Sequence, residues 1–70
     1  MKYVGAKQVL KNIHINNVKK VYVAKDADKE ITEEIIVICK EKKLPVIWID
    51  TMTELGKMAG IDVGTSSMAE

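Results

Sequence analysis

The spacing of apolar residues changes along this chain, and the changes mark out its elements. Lys2-Tyr3-Val4 is a short apolar run closed by Gly5, which predicts a first strand. From Ala6 to about Ile13, the apolar set Val9, Leu10 and Ile13 recurs at helical spacing, and Asn16-Asn17 supplies a turn or C-cap. Lys20-Val21-Tyr22-Val23-Ala24 is β-branched and continuous, which predicts a buried strand. Asp26-Ala27-Asp28 then makes a turn, with Asp28 as N-cap of a helix over about Lys29 to Lys42. Along that helix Ile31, Ile35, Ile38 and Cys39 form one stripe. Acids come first and lysines last, as the helix dipole prefers. Leu44-Pro45 ends it.

Val46-Ile47-Trp48-Ile49 predicts another buried strand, with Trp48 in the core. Thr51 and Glu54 have capping-box spacing, and Met52, Leu55, Met58 and Ala59 line a short helix that Gly60 closes. Ile61-Asp62-Val63-Gly64 is a loop, and Ser67-Met68-Ala69 is the stub of a last strand. The order β-α-β-α-β-α-β predicts an α/β fold, a three-layer α/β/α sandwich around a small mixed sheet of about four strands. Residues 1–70 make one domain, and a chain of this size buries only about 60 % of its unfolded surface.

Charge refines this picture. Residues 1–29 carry seven lysines against Asp26 and Asp28, a net +5, while residues 30–70 carry four lysines against eight acids, a net −4. Such asymmetry fits a polyanion on one face, although charge counts alone are better read as a mixed solvated surface. All eleven basic residues are lysine, so bidentate arginine readout of guanine is absent.

Other chemistry is thin. One Cys and one His cannot fill a four-ligand zinc site. A lone Cys39 on an apolar stripe reads as a buried small hydrophobe in a reducing compartment. Asp26-x-Asp28 has no third acid at fixed spacing, so turn and capping roles are expected rather than a metal site. His14, near a helix end, reads as a dipole-favoured surface residue. No nucleophile–base pair and no Gly-rich phosphate loop stands out, so neither catalysis nor a cofactor is expected. With no long apolar run and no basic-then-apolar leader, the expectation is a cytoplasmic protein with no membrane partner.

The stretch with most chemical content is Val4-Gly5-Ala6-Lys7-Gln8-Val9-Leu10-Lys11. A glycine sits where strand gives way to helix, and Lys7 and Gln8 place donors at the helix start. Lys11 lies on the face of Lys7 at i,i+4. A helix start also offers free backbone N–H groups and a positive dipole end, so this is a compact device for a phosphate and a base edge. Taken alone, it is ambiguous and reads more readily as an ordinary helix start with surface lysines.

Four segments in register resolve that ambiguity: Gly5–Lys11, Val23–Asp28, Cys39–Val46 and Leu55–Gly64. In this order and spacing the chain resembles the kink-turn RNA-binding family of ribosomal proteins L7Ae and L30e, and its small bacterial members in particular. The resemblance implies a non-enzymatic protein that binds a sharply kinked RNA duplex with tandem sheared G·A pairs. It implies contacts to those guanines from Gly5, Lys7 and Gln8, and an RNA contact from Lys11. Ile61, Asp62 and Val63 match the loop that packs on an extruded nucleotide, and Asp28 matches a position near it. Lys7-Gln8 stands where archaeal and eukaryotic members have Asn-Glu, replacing an acceptor-only carboxylate with an amide that donates and accepts.

Relative to the family pattern, only three residues precede Val4, and the last strand stops at Met68-Ala69-Glu70. The surface and strand edge thus left uncovered predict low stability or a homo-oligomer. The alternative reading is a protein-interaction or oligomerisation module of the same fold without RNA binding.

Overall fold

Local signals fix the three helices. A computed structural model describes residues 1–70. Helix α1 spans Ala6–His14 and ends where Asn16 turns left-handed at φ 57°. There the Asn16 and Asn17 N–H groups donate back to the carbonyls of Ile13 and Asn12. Helix α2 spans Lys29–Lys42, with the Asp28 side chain accepting from the Glu30 N–H at 2.9 Å. It stops at Lys43, left-handed at φ 58°, with Pro45 two residues on. Helix α3 spans Met52–Ala59, capped by Thr51 Oγ1, which accepts from the Glu54 N–H at 3.1 Å. Gly60, at φ 79°, closes it in the left-handed conformation that glycine adopts without a Cβ penalty.

The strands are β1 (Tyr3–Val4), β2 (Val21–Ala24), β3 (Val46–Ile49) and β4 (Ser67–Ala69), in the order β1-β4-β2-β3. β2 and β3 are parallel, and β4 runs antiparallel to both β1 and β2. Side chains alternate across this mixed sheet. Val21, Val23 and Ala69 pack with Val9 and Ile13 of α1 and Ile35 and Cys39 of α2. Tyr22, Ala24 and Met68 pack with Leu55 of α3 on the other face. Two helices thus cover one face and one covers the other, the expected α/β three-layer arrangement. Cys39 is fully buried, and burial pushes its thiol pKa up.

Four expectations change. β3 is an edge strand, not a buried one: Ile47 is 39 % and Trp48 49 % exposed. It pairs only with β2, and α2 covers only part of its face. Met58 of α3 is 41 % exposed because Leu55 alone fills the centre of that layer. The buried line of α2 runs through Thr32, Ile35 and Cys39, leaving Ile31 exposed at its flank in the first turn. Finally, the terminal stub β4 is the buried centre of the sheet, paired on both sides, so the expected unpaired edge there does not exist.

The amino end of β2 is clamped to the residue after β4. Lys19 and Lys20 N–H groups donate to the Glu70 carbonyl, and the Glu70 N–H donates to Lys20 O. The Tyr22 hydroxyl donates to Glu70 Oε1 at 2.8 Å, with Lys20 Nζ 3.3 Å from the same oxygen.

Candidate nucleic-acid interface

Strand directions bring the sequence-distant candidates together. Because β1, β2 and β3 all run opposite to β4, their carboxyl ends and the start of β4 share one end of the sheet. Ligands of open α/β sheets characteristically lie beyond that end. Gly5, the 25–28 turn, Thr51 and the 60–66 connection all converge there. Hydrogen bonds knit them: Gly5 N–H to Ser67 O, Ala24 N–H to Ser66 O, Lys25 N–H to Ile49 O and Thr65 N–H to Met52 O. Asp26 Oδ1 accepts from the Met52 N–H at 2.8 Å, tying the 25–28 turn to the start of α3.

At Gly5 the backbone sits at φ 90°, ψ 150°, a region open in practice only to glycine. A Cβ there would meet nothing within 4 Å, so glycine is required by conformation and the space beside it is free. The first helical bond of α1 runs from the Val9 N–H to Gly5 O, leaving the N–H groups of Ala6, Lys7 and Gln8 without intrahelical partners. No side chain caps them, and α1 has no acid in its first turn. Val9 turns into the core while Lys7, Gln8 and Lys11 are exposed. Neither Lys7 nor Lys11 has an acidic partner within salt-bridge distance. From inside the helix the nearly buried Asn12 braces this turn, its Nδ2 donating to Gln8 O at 2.8 Å.

The second lip is the loop after α3. Ile61 is half-buried, its N–H donating to Gly56 O, while Asp62 is exposed and Val63 is 70 % exposed. One apolar residue of the pair is thus turned towards the fold and the other towards solvent. The loop lies flat on α3 because Gly56 has no side chain: a Cβ there would collide with the Val63 carbonyl. A Cβ on Gly64 would press on Met52 in the same way. These two glycines hold the loop, and neither was among the sequence-derived site residues. The available signal was a glycine inside an amphipathic helix, a position that costs about 1 kcal/mol against alanine and so points to a packing reason.

Asp28 also lies at this end, with its carboxylate committed to capping α2. Lys25 is a further cation here, 3.2 Å from Asp50 in an exposed pair. The surface therefore offers unpaired backbone donors, an amide, two free ammonium groups and an exposed apolar tip. That set suits a phosphate-bearing ligand with a splayed aromatic base.

Comparison with known proteins places the chain in a family. Residues 3–70 match the model of the Ribosomal protein L7Ae/L30e/S12e/Gadd45 family. An RNA-binding protein of Caldanaerobacter subterraneus is 48 % identical over 67 residues, covering 96 % of this chain and 82 % of that protein. The RNA-binding protein YbxF of Geobacillus stearothermophilus is 35 % identical over 66 residues, covering 94 % and 80 %. The solved structure of the Giardia lamblia 15.5kD RNA binding protein superposes with a TM-score of 0.89 at 28 % identity, covering 97 % of this chain and 57 % of that one.

Proposed function

We propose that this chain, which belongs to the Ribosomal protein L7Ae/L30e/S12e/Gadd45 family, is a non-enzymatic RNA-binding protein that recognises kink-turn or related internal-loop RNA. The observation that carries this reading is the bare start of α1, the only helix of the three without a side-chain cap. Gly5, Lys7 and Gln8 meet the guanine edges of the sheared pairs, and the free N–H groups take a phosphate. Lys11 contacts the backbone one turn on. Ile61, Asp62 and Val63 pack on the extruded nucleotide, with Asp28 beside it. RNA shape supplies most of the specificity, because few side chains here reach base edges. No helix is long and apolar enough to cross a membrane. The proposed setting is a cytoplasmic ribonucleoprotein.

Retardation of a kink-turn RNA beside a control with disrupted G·A pairs tests the reading. The kink-turn should bind more tightly, and Lys11→Ala should flatten the salt dependence by about one unit for both RNAs. Equal binding to both RNAs by the intact protein would remove kink-turn recognition.

A further inference from the structure

The surface that the RNA reading leaves unused is a groove along the outer side of α2, where it overhangs the edge strand β3. It holds about 400 Å³ and is lined by Thr32, Glu33, Ile36, Val37, Lys40 and Trp48. Val37 is 55 % exposed and Trp48 about half. β3 itself carries no charge over Val46–Ile49 and has no strand on its outer side. Natural edge strands are usually guarded by a lysine, a bulge or a cover.

The charges on this groove are arranged to match themselves. Glu33 and Lys40 lie seven residues apart, two helical turns or about 10.5 Å along one face. Ile36 and Val37 occupy the midpoint between them. Neither charge has an ion-pair partner within the chain. A two-fold axis through that midpoint exchanges the two ends, so each Glu33 meets a Lys40 while the apolar centre meets itself. An isologous contact needs this self-complementarity, and a partner of uniform charge does not fit it.

We infer that two copies of this chain associate through the groove between α2 and Trp48 about a two-fold axis, with Glu33 of each copy facing Lys40 of the other. The interface is small, so the dimer is weak and depends on concentration. It also leaves the Gly5–Lys11 part of the proposed RNA surface open. β1, which leads into Gly5, lies three strand spacings from β3, about 14 Å across the sheet. The inference does not rest on RNA binding, and the two fail separately.

Sedimentation velocity of the full chain, from micromolar to near-millimolar concentration, tests it at low and high salt. A monomer–dimer equilibrium weakened by salt is expected. E33K and K40E should each weaken it by roughly tenfold, because the axis repeats every like-charge contact. The double variant E33K/K40E should restore it to within about threefold of the parent, since the pair is rebuilt with its signs exchanged. V37E, which puts two carboxylates near the axis, should abolish it, with thermal melts confirming the fold. Kink-turn affinity should be unchanged in all four variants. A monomer at every concentration overturns the inference, as does association that ignores the charge reversals. Charge variants that alter RNA affinity without any change in association assign the groove to RNA instead, which also overturns it.

Discussion

Three helices start at the same end of the sheet, and they start differently. α2 and α3 each begin with a side-chain oxygen, from Asp28 and Thr51, on an N–H of the first turn, followed by a glutamate. α1 begins at Gly5 with neither cap nor acid. A missing side-chain cap leaves backbone donors unsatisfied and the positive dipole end uncompensated, at a loss of only about a few tenths of a kcal/mol because the N-cap residue is a glycine. α1 is held instead by burial of Val9 and Ile13 and by the Asn12 brace to Gln8 O. Two starts are thus finished by the protein itself. The third is left open, with Lys7, Gln8 and Lys11 exposed around it, and is where the proposed reading puts the RNA.

The comparison breaks first at Gln8. Gln8→Ala should lose about 1–3 kcal/mol of discrimination between kink-turn RNA and its G·A-disrupted control, if the amide reads a base edge. Lys7→Ala should weaken binding to the kink-turn. Both side chains are exposed, so melting should not change. Titration of both RNAs with both variants decides it: unchanged affinity and discrimination would make α1 an ordinary helix start.

Val63 probes the opposite lip. On the proposed reading Val63→Asp would put a hydrated negative group against an extruded base and its phosphate, and should weaken binding on the order of tenfold, or about 1.4 kcal/mol. Because Val63 is exposed, the melting temperature should hold. A steep fall in melting with normal binding by the folded fraction would make Val63 a packing residue.

The capped starts should behave in the reverse sense. Asp28→Ala and Thr51→Ala should each cost about 1 kcal/mol of stability, a fall in melting temperature of roughly 4–8 °C for a domain of this size. Thr51→Ala should leave RNA affinity nearly unchanged. Asp28→Ala separates two roles of one carboxylate: a melting change alone assigns it to the cap, and an added affinity change brings it into the RNA surface. Calorimetry beside RNA titration reads both.

The legibility of the fold follows the range of the forces involved. The bounds of α2 and α3 were readable because caps and stop signals act within a few residues: Asp28, the Leu44-Pro45 stop, Thr51 and Gly60. The sheet order was not. A four-residue apolar run reads the same at an edge as at a centre, so Val46–Ile49 was expected inside. Ser67–Ala69 reads as a stub in sequence because only pairing with both β1 and β2 makes it central. The candidate site divides along the same line. Gly5, Lys7, Gln8 and Lys11 are local to one strand-to-helix junction, yet the junction alone also reads as an ordinary helix start, and only the resemblance in register across four segments singles it out. The role of Asp26 depends on a bond to Met52, 26 residues away, which no spacing rule reveals. Gly56 likewise shows its purpose only once the Val63 carbonyl lies on it.

The smallest effect lies at the other end of the sheet, where the Lys20–Tyr22–Glu70 clamp gives a control remote from the proposed RNA surface. The Tyr22 hydroxyl and then Lys20 donate to the Glu70 carboxylate and hold its pKa below the usual 4.5. The neighbouring Tyr22 side chain and then the Glu70 carboxylate, 3.3 Å away, raise that of Lys20 above 10.5. A depressed carboxylate stabilises the fold above its unfolded pKa, and that contribution fades as pH falls through the lower folded value. A raised ammonium stabilises below its unfolded pKa and fades as pH rises through the higher folded value. The clamp should therefore contribute fully between about pH 4.5 and 10.5 and weaken on either side. Glu70→Gln keeps an acceptor for Tyr22 but removes the charge. Its melting temperature should fall slightly below that of the parent at neutral pH, and the gap should close on acidification. RNA affinity should be unchanged, unlike that of the Gln8 and Val63 variants. A gap that does not narrow at all as the pH falls would mean that packing at this end, rather than the charge, is what Glu70 contributes.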